Sequence, residues 1–133
     1  MIILDTHALI WLSEGDERLG GTSRRLADDA LEADTLSASA ITFWEVAMLQ
    51  QRGRIELTVP TDAWRKQLID LGLAEVPLSG EIAIASTRFE NFPPDPADRF
   101  IAATALIHGM TLVTADAVIL KWPGELSRHD ARS

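Results

Sequence analysis

At 133 residues, 47% of them hydrophobic and 24% charged, the chain is sized for one domain around one core and is too apolar to be disordered. It contains no cysteine, which fits a reducing compartment and excludes thiolate catalysis, disulfides and cysteine-held zinc, so any metal must be held by oxygen or imidazole. A net charge of −8 repels a polyanion at long range and disfavours passive nucleic-acid binding, although acids gathered in one pocket and neutralised there by a cation escape that argument.

The chain opens on Ile2-Ile3-Leu4, a short β-prone apolar run that ends in Asp5 and reads as a buried parallel strand. A first helix carrying His7 and Trp11 follows. Neither a basic leader nor an apolar stretch of about 7–15 residues is present at this end. No run reaches the roughly 18–20 apolar residues that cross a bilayer. A soluble, cytoplasmic protein with no membrane partner is the expectation. Helical periodicity then appears at about Thr22 to Ala33, Thr42 to Gln51, Asp62 to Leu71 and Gly80 to Arg88, with short strands expected at Leu36 to Ser39 and Ala74 to Val76.

The best-marked element follows the cluster Phe92-Pro93-Pro94-Asp95-Pro96. Asp95 suits the N-cap and Pro96 the first helical position, apolar residues recur at Phe100, Ala103 and Ile107, and Gly109 suits the stop. This helix, Pro96 to His108, places Asp98 in its first turn. A strand at Thr111 to Thr114 comes next, then Asp116 and a short helix through Val118 to Lys121. The polar residues 122–133 are expected to fray, with one last short strand as the alternative. Strands alternating with helices in this way predict an α/β fold with a mostly parallel sheet.

In an open parallel sheet the loops and helix starts that follow the strands converge at one edge, where ligands bind. Asp5 and Asp116 follow apolar strands closely, while Glu45 and Asp98 lie early in helices that start at the same edge. The four acids are therefore predicted to be neighbours. Carboxylates that close repel one another unless they are protonated or bridged by cations, and an all-oxygen set suits Mg²⁺ or Mn²⁺ rather than zinc. Such ions activate water and polarise phosphoryl oxygens, so a phosphodiester is the natural substrate. Thr6 and Thr114 flank the acids and can orient a carboxylate or hold a metal-bound water. Arg99, beside Asp98, is placed to contact a scissile phosphate or pair with an acid.

Taken singly, each acid has a plainer role. Thr42-x-x-Glu45 has the form of a capping box. Asp98 can complement the helix dipole, and Asp116 can cap the short helix. Asp5 is harder to explain away, because a carboxylate just after a buried strand needs a partner. His7, His108 and His129 read as structural or solvated. The aromatic residues Trp11, Phe43, Trp44 and Trp64 read as core, with one or two left exposed for a partner.

The segments Ile3-Leu4-Asp5-Thr6-His7, Ser39 to Glu45 running on to Gly53-Arg54, Asp95-Pro96-Ala97-Asp98-Arg99 and Leu112-Val113-Thr114-Ala115-Asp116 resemble, in order and spacing, the motifs of PIN domains. Within that family they are similar to the VapC-type toxins of bacterial toxin–antitoxin systems, over about Met1 to Lys121. The resemblance implies a single PIN-like domain over 1–121, a three-layer α/β/α sandwich, and Mg²⁺- or Mn²⁺-dependent endoribonuclease activity as a toxin. It places the catalytic and metal-holding quartet on Asp5, Glu45, Asp98 and Asp116, with Thr114 as the hydroxyl beside the last acid. It also implies a homodimer and a small antitoxin whose tail covers the cleft. A haloacid-dehalogenase-like phosphatase needs a second Asp at the position of His7, and a receiver domain needs paired acids at the first strand. A PIN-like module that binds RNA or a partner without cutting remains the other reading.

Overall fold

A computed structural model describes all residues 1–133. Five strands, β1 (Ile2–Leu4), β2 (Leu36–Ser39), β3 (Ala74–Val76), β4 (Thr111–Thr114) and β5 (Arg128–Asp130), form one sheet in the order β3-β2-β1-β4-β5. Every neighbouring pair is parallel. The helices are α1 (Thr6–Glu14), α2 (Gly21–Glu32), α3 (Ala40–Gln51), α4 (Thr61–Asp70), α5 (Gly80–Ser86), α6 (Pro96–His108) and α7 (Ala117–Lys121).

Side chains alternate across a strand, and the two central strands send neighbours into opposite cores. Leu4 and Val113 join one apolar cluster with Leu9, Val46 and Trp64. Ile3 and Leu112 join the other with Ile82, Ile101 and Ile119. Helices thus cover both faces, which gives the three-layer α/β/α sandwich. Both faces of β1 and β4 are buried, and this explains why these strands read as unbroken apolar runs rather than alternating ones.

The topology also fixes where a ligand can sit. From β1 the chain steps outward to β2 and β3, then returns after α5 and α6 to place β4 on the other side of β1. Connections leave β1 and β4 in opposite directions, so a crevice opens at the carboxyl ends of those two strands. Leu4 pairs in register with Val113, and the Asp5 amide donates to the Val113 carbonyl at 3.1 Å. The residues that follow the strands are side by side from the backbone upward.

The tail departs from the expected fraying. Residues 128–130 add β5 to the edge of the sheet, with Thr114 opposite Asp130, and Ala131 is fully buried. The Arg128 guanidinium donates to the carbonyls of Ile119, Trp122, Gly124 and Leu126 and holds the turn that leads in. Beyond β5 the chain docks on the start of α2, which has no side-chain cap of its own. Gly20 donates to the Ala131 carbonyl at 2.8 Å and Ser23 to the Ser133 carbonyl at 3.0 Å, while the Ser23 hydroxyl bonds the Asp130 carbonyl and meets His129 Nε2 at 2.9 Å. A Cβ on Gly20 would lie 2.0 Å from the Ser133 oxygen, so the close approach requires glycine. A short polar edge strand held by backbone bonds leaves no apolar period in the sequence, which is why composition alone misreads it.

Candidate active site

The structure brings Asp5, Glu45, Asp98 and Asp116 to one open cavity of about 370 Å³ at the β1–β4 crevice, together with Asp95. Each arrives by a different local device. Asp5 directly follows β1 and N-caps α1, with Oδ1 accepting from the Ala8 amide at 2.9 Å. Its Oδ2 accepts from the Thr114 hydroxyl at 2.5 Å, and that same hydroxyl accepts from the Asp116 amide at 3.1 Å. Thr114 is completely buried and so ties the first acid to the last. Asp116 in turn caps α7 through Val118 and Ile119.

Glu45 is not half of a capping box. Helix α3 starts at Ala40 with Ser39 as its cap, so Thr42 lies inside the first turn, fully buried. Glu45 is then more than a turn into the helix, and its carboxylate accepts from the Thr6 hydroxyl across the cleft. The serine three residues earlier wins the cap because its Oγ reaches the Ile41 amide at 3.2 Å. Asp98 does sit in the first turn of α6 behind the cap Asp95, whose Oδ1 accepts from Ala97 and Asp98 amides. Capping and cleft-lining are thus compatible: Asp5, Asp95 and Asp116 each cap a helix through Oδ1 and still line the cavity.

Arg99 does something other than the sequence suggested. Its guanidinium donates to the carbonyls of Ser86, Phe89, Phe92 and Pro93, clamping the loop between α5 and α6, and it does not line the cleft. Adjacent helical residues point about 100° apart, so a neighbour in sequence need not share the site. Conversely, His7, Trp11, Arg18 and Arg132 line the cavity although no sequence signal marks them as functional. Trp44 is the exposed aromatic, at 56%, whereas Trp11 and Trp64 are core.

The electrostatics reflect crowding of like charges. Burial pushes the Asp98 carboxyl up to about 7, and repulsion from Asp95, Glu45, Asp116 and Asp5 adds to the effect. Burial likewise raises Asp5, against the lowering influence of its bonds from Thr114 and Ala8. Glu45 is raised by burial too, countered by the Thr6 hydroxyl. No lysine or arginine pairs with any of these acids. The side chains do not stand preassembled as a three-ligand chelate of His, Asp or Glu. Their donor set is nevertheless all carboxylate oxygen and their mutual repulsion is uncompensated, which is the chemistry of a site for a hard divalent cation.

A family model for the PIN domain matches residues 2–124. The chain belongs to the PIN-domain family. This PIN domain is 38% identical over 120 residues to Ribonuclease VapC22 of Mycobacterium tuberculosis, covering 86% of each chain. Its fold is shared with a chain of the DNA-bound VapBC from Salmonella typhimurium, at a TM-score of 0.71 and 20% identity, with 98% of both chains covered. A chain of VapBC2 from Rickettsia felis bound to a promoter DNA fragment superposes at 0.69 with 17% identity, covering 97% of the PIN domain and 98% of that chain. No helix of the PIN domain is long and apolar enough to cross a membrane.

Proposed function

We propose that this PIN domain is a metal-dependent endoribonuclease acting as the toxin of a toxin–antitoxin pair. The observation that carries the reading is the convergence of five unpaired carboxylates at the β1–β4 switch point. The relative named as a ribonuclease supports RNA as the substrate, and the fold neighbours titled as toxin–antitoxin assemblies support a small antitoxin as partner. Asp5, Glu45, Asp98 and Asp116 are the residues that would hold Mg²⁺ or Mn²⁺. When bound, such an ion supplies an activated water and neutralises charge on a phosphoryl oxygen. The protein's own part is positional. Thr114 holds Asp5 against Asp116, Thr6 holds Glu45 toward the same cavity, and the helix starts of α1, α6 and α7 aim their positive ends at the crevice. With its carboxyl pushed up to about 7 by burial and the neighbouring acids, Asp98 would give up a proton if it took part in holding a cation.

Purified protein is expected to cleave RNA with Mg²⁺ or Mn²⁺ and to stop when a chelator is added. Asp5→Asn and Asp98→Asn should lower the rate at least 100-fold, as loss of a directly charged group in a site does. Cleavage unaffected by chelation, or equal in the variants, refutes the reading. A short neighbouring coding sequence is expected to encode the antitoxin, and co-expression with it should abolish toxicity. A homodimer is expected in solution and is checked by light scattering on the eluting protein.

A further inference from the structure

The carboxylates account for only part of the cavity wall. His7, Trp11, Arg18 and Arg132 also line it, and the two guanidinium carbons each lie 5.2 Å from the centroid of the Trp11 ring. The two cations are not equivalent. Arg18 is engaged by Asp16, with Nη2 at 2.7 Å and Nε at 3.1 Å, so its charge is already answered. Arg132 has no ion pair and its guanidinium makes no hydrogen bond; only its backbone amide is held, by Asp130 Oδ1 at 2.9 Å.

The placement of Arg132 is nonetheless firm. Ala131 before it is fully buried, and Ser133 after it accepts from the Ser23 amide, so the backbone is tied on both sides while the side chain lies exposed on the indole. Other guanidinia are engaged elsewhere: Arg99 and Arg128 on carbonyls, Arg65 on Glu75. An adjoining groove shares His7, Trp11 and Arg18 with the acid cavity, but Glu14, Asp16 and Glu56 line it beside Arg54, so Arg132 is the free cation on the acid cavity itself.

A chain of net charge −8 needs local cations to retain a polyanion beside its acids. A fork-shaped guanidinium stacked on an aromatic face, with its donors free, is the arrangement suited to a phosphodiester oxygen pair. We infer that Arg132, laid on Trp11 at the rim of the acid cavity, binds the RNA phosphate next to the scissile one. This rests on the ribonuclease reading and assigns one phosphate contact within it. Arg132 is a binding residue here; it leaves the reacting atoms to the acids.

The test measures binding of a fluorescent single-stranded RNA oligonucleotide by anisotropy across a salt series with Mg²⁺ present, in an Asp98→Asn background that spares the strand. Arg132→Gln should weaken binding about fivefold to tenfold. It should also make the slope of log K against log salt shallower by about 0.7, the value for one phosphate contact on a single strand. Arg132→Lys, which keeps the charge and loses the fork, should fall between. Arg88→Gln removes the same charge at an exposed position lining neither groove and should leave the slope in place. In the otherwise unaltered enzyme, Arg132→Gln should raise KM several-fold and change kcat far less. An unchanged slope and affinity in Arg132→Gln, or an equal loss in Arg88→Gln, overturns the inference while leaving the ribonuclease reading intact. Failure of the parent protein to bind or cut RNA at all removes that reading and the inference together.

Discussion

Asp98→Asn is expected to raise the melting temperature of the cation-free protein at pH 8 even as it abolishes cleavage. The wild-type carboxyl is half-buried, and burial, with added repulsion from Asp95, Glu45, Asp116 and Asp5, moves it from an ordinary 3.8 to about 7. In the unfolded chain Asp98 ionises near pH 4, whereas in the folded protein it keeps its proton to near neutrality. Across that window the folded state binds more protons, so stability falls as pH rises and the loss is complete about a unit above 7. Full burial would make the penalty about 4 kcal/mol. Partial exposure and solvent screening reduce it to about 1–2 kcal/mol. Asparagine is neutral throughout and nearly the same shape, so it removes this penalty. It also forfeits a first-turn charge worth about 0.3–1 kcal/mol against the helix dipole, the smaller term. The net gain at pH 8 corresponds to a few degrees in Tm for a domain of this size. Thermal melts in chelator at pH 5, 6.5 and 8 should show the wild type losing Tm with pH and the variant much less. Adding Mg²⁺ should stabilise the wild type more than the variant, since binding to the folded state raises Tm. A variant that is less stable than wild type at pH 8 in chelator, or offset equally at pH 5 and 8, refutes the claim that burial and the neighbouring carboxylates disfavour an ionised Asp98 in the fold.

Thr114→Val keeps the shape but strands Asp5 Oδ2 and the Asp116 amide, and should lower stability by about 2 kcal/mol in urea titration. It should also slow cleavage about tenfold, with Thr114→Ser restoring most of the rate; a wild-type rate in the valine variant removes the positioning role. Arg99→Leu abandons four carbonyls and is expected to be destabilised by about 2–4 kcal/mol while the rate per folded molecule stays within a few-fold. A loss of 100-fold with stability intact would put Arg99 back in the site. Gly20→Ala drives a methyl into the Ser133 carbonyl and should lower the urea midpoint by the equivalent of about 1–3 kcal/mol; an unchanged midpoint means the tail does not dock there in solution.

The strands and helices were legible because their signals are local. Two buried apolar runs end in Asp5 and before Asp116, and Asp95, Pro96 and Gly109 mark the ends of α6, where the structure shows the cap, the first-turn proline and the left-handed stop at φ 64°. The rule that loops converge at the carboxyl edge of a parallel sheet was enough to bring the four acids together on paper. It did so without knowing which strands touch.

Contacts distant in sequence had to come from the folded chain. That β4 lies against β1, and so sets Asp5 beside Thr114 and Asp116, is a matter of strand order, which no window of neighbouring residues encodes. Ser39 rather than Thr42 caps α3 because of where the backbone turns, and this frees Glu45 for the cleft. Arg99 was misassigned because proximity along a helix does not set the direction of a long side chain, and its targets are carbonyls of a folded loop. The tail was left between fraying and a last strand for a related reason: β5 pairs through main-chain hydrogen bonds, and its docking on Gly20 and Ser23 joins segments far apart in the chain, so only the finished sheet edge and the open end of α2 specify them. Composition and periodicity report which residues want burial, but partner choice between segments 100 residues apart is settled by closing the core, and that closure carries Arg132 into the cleft.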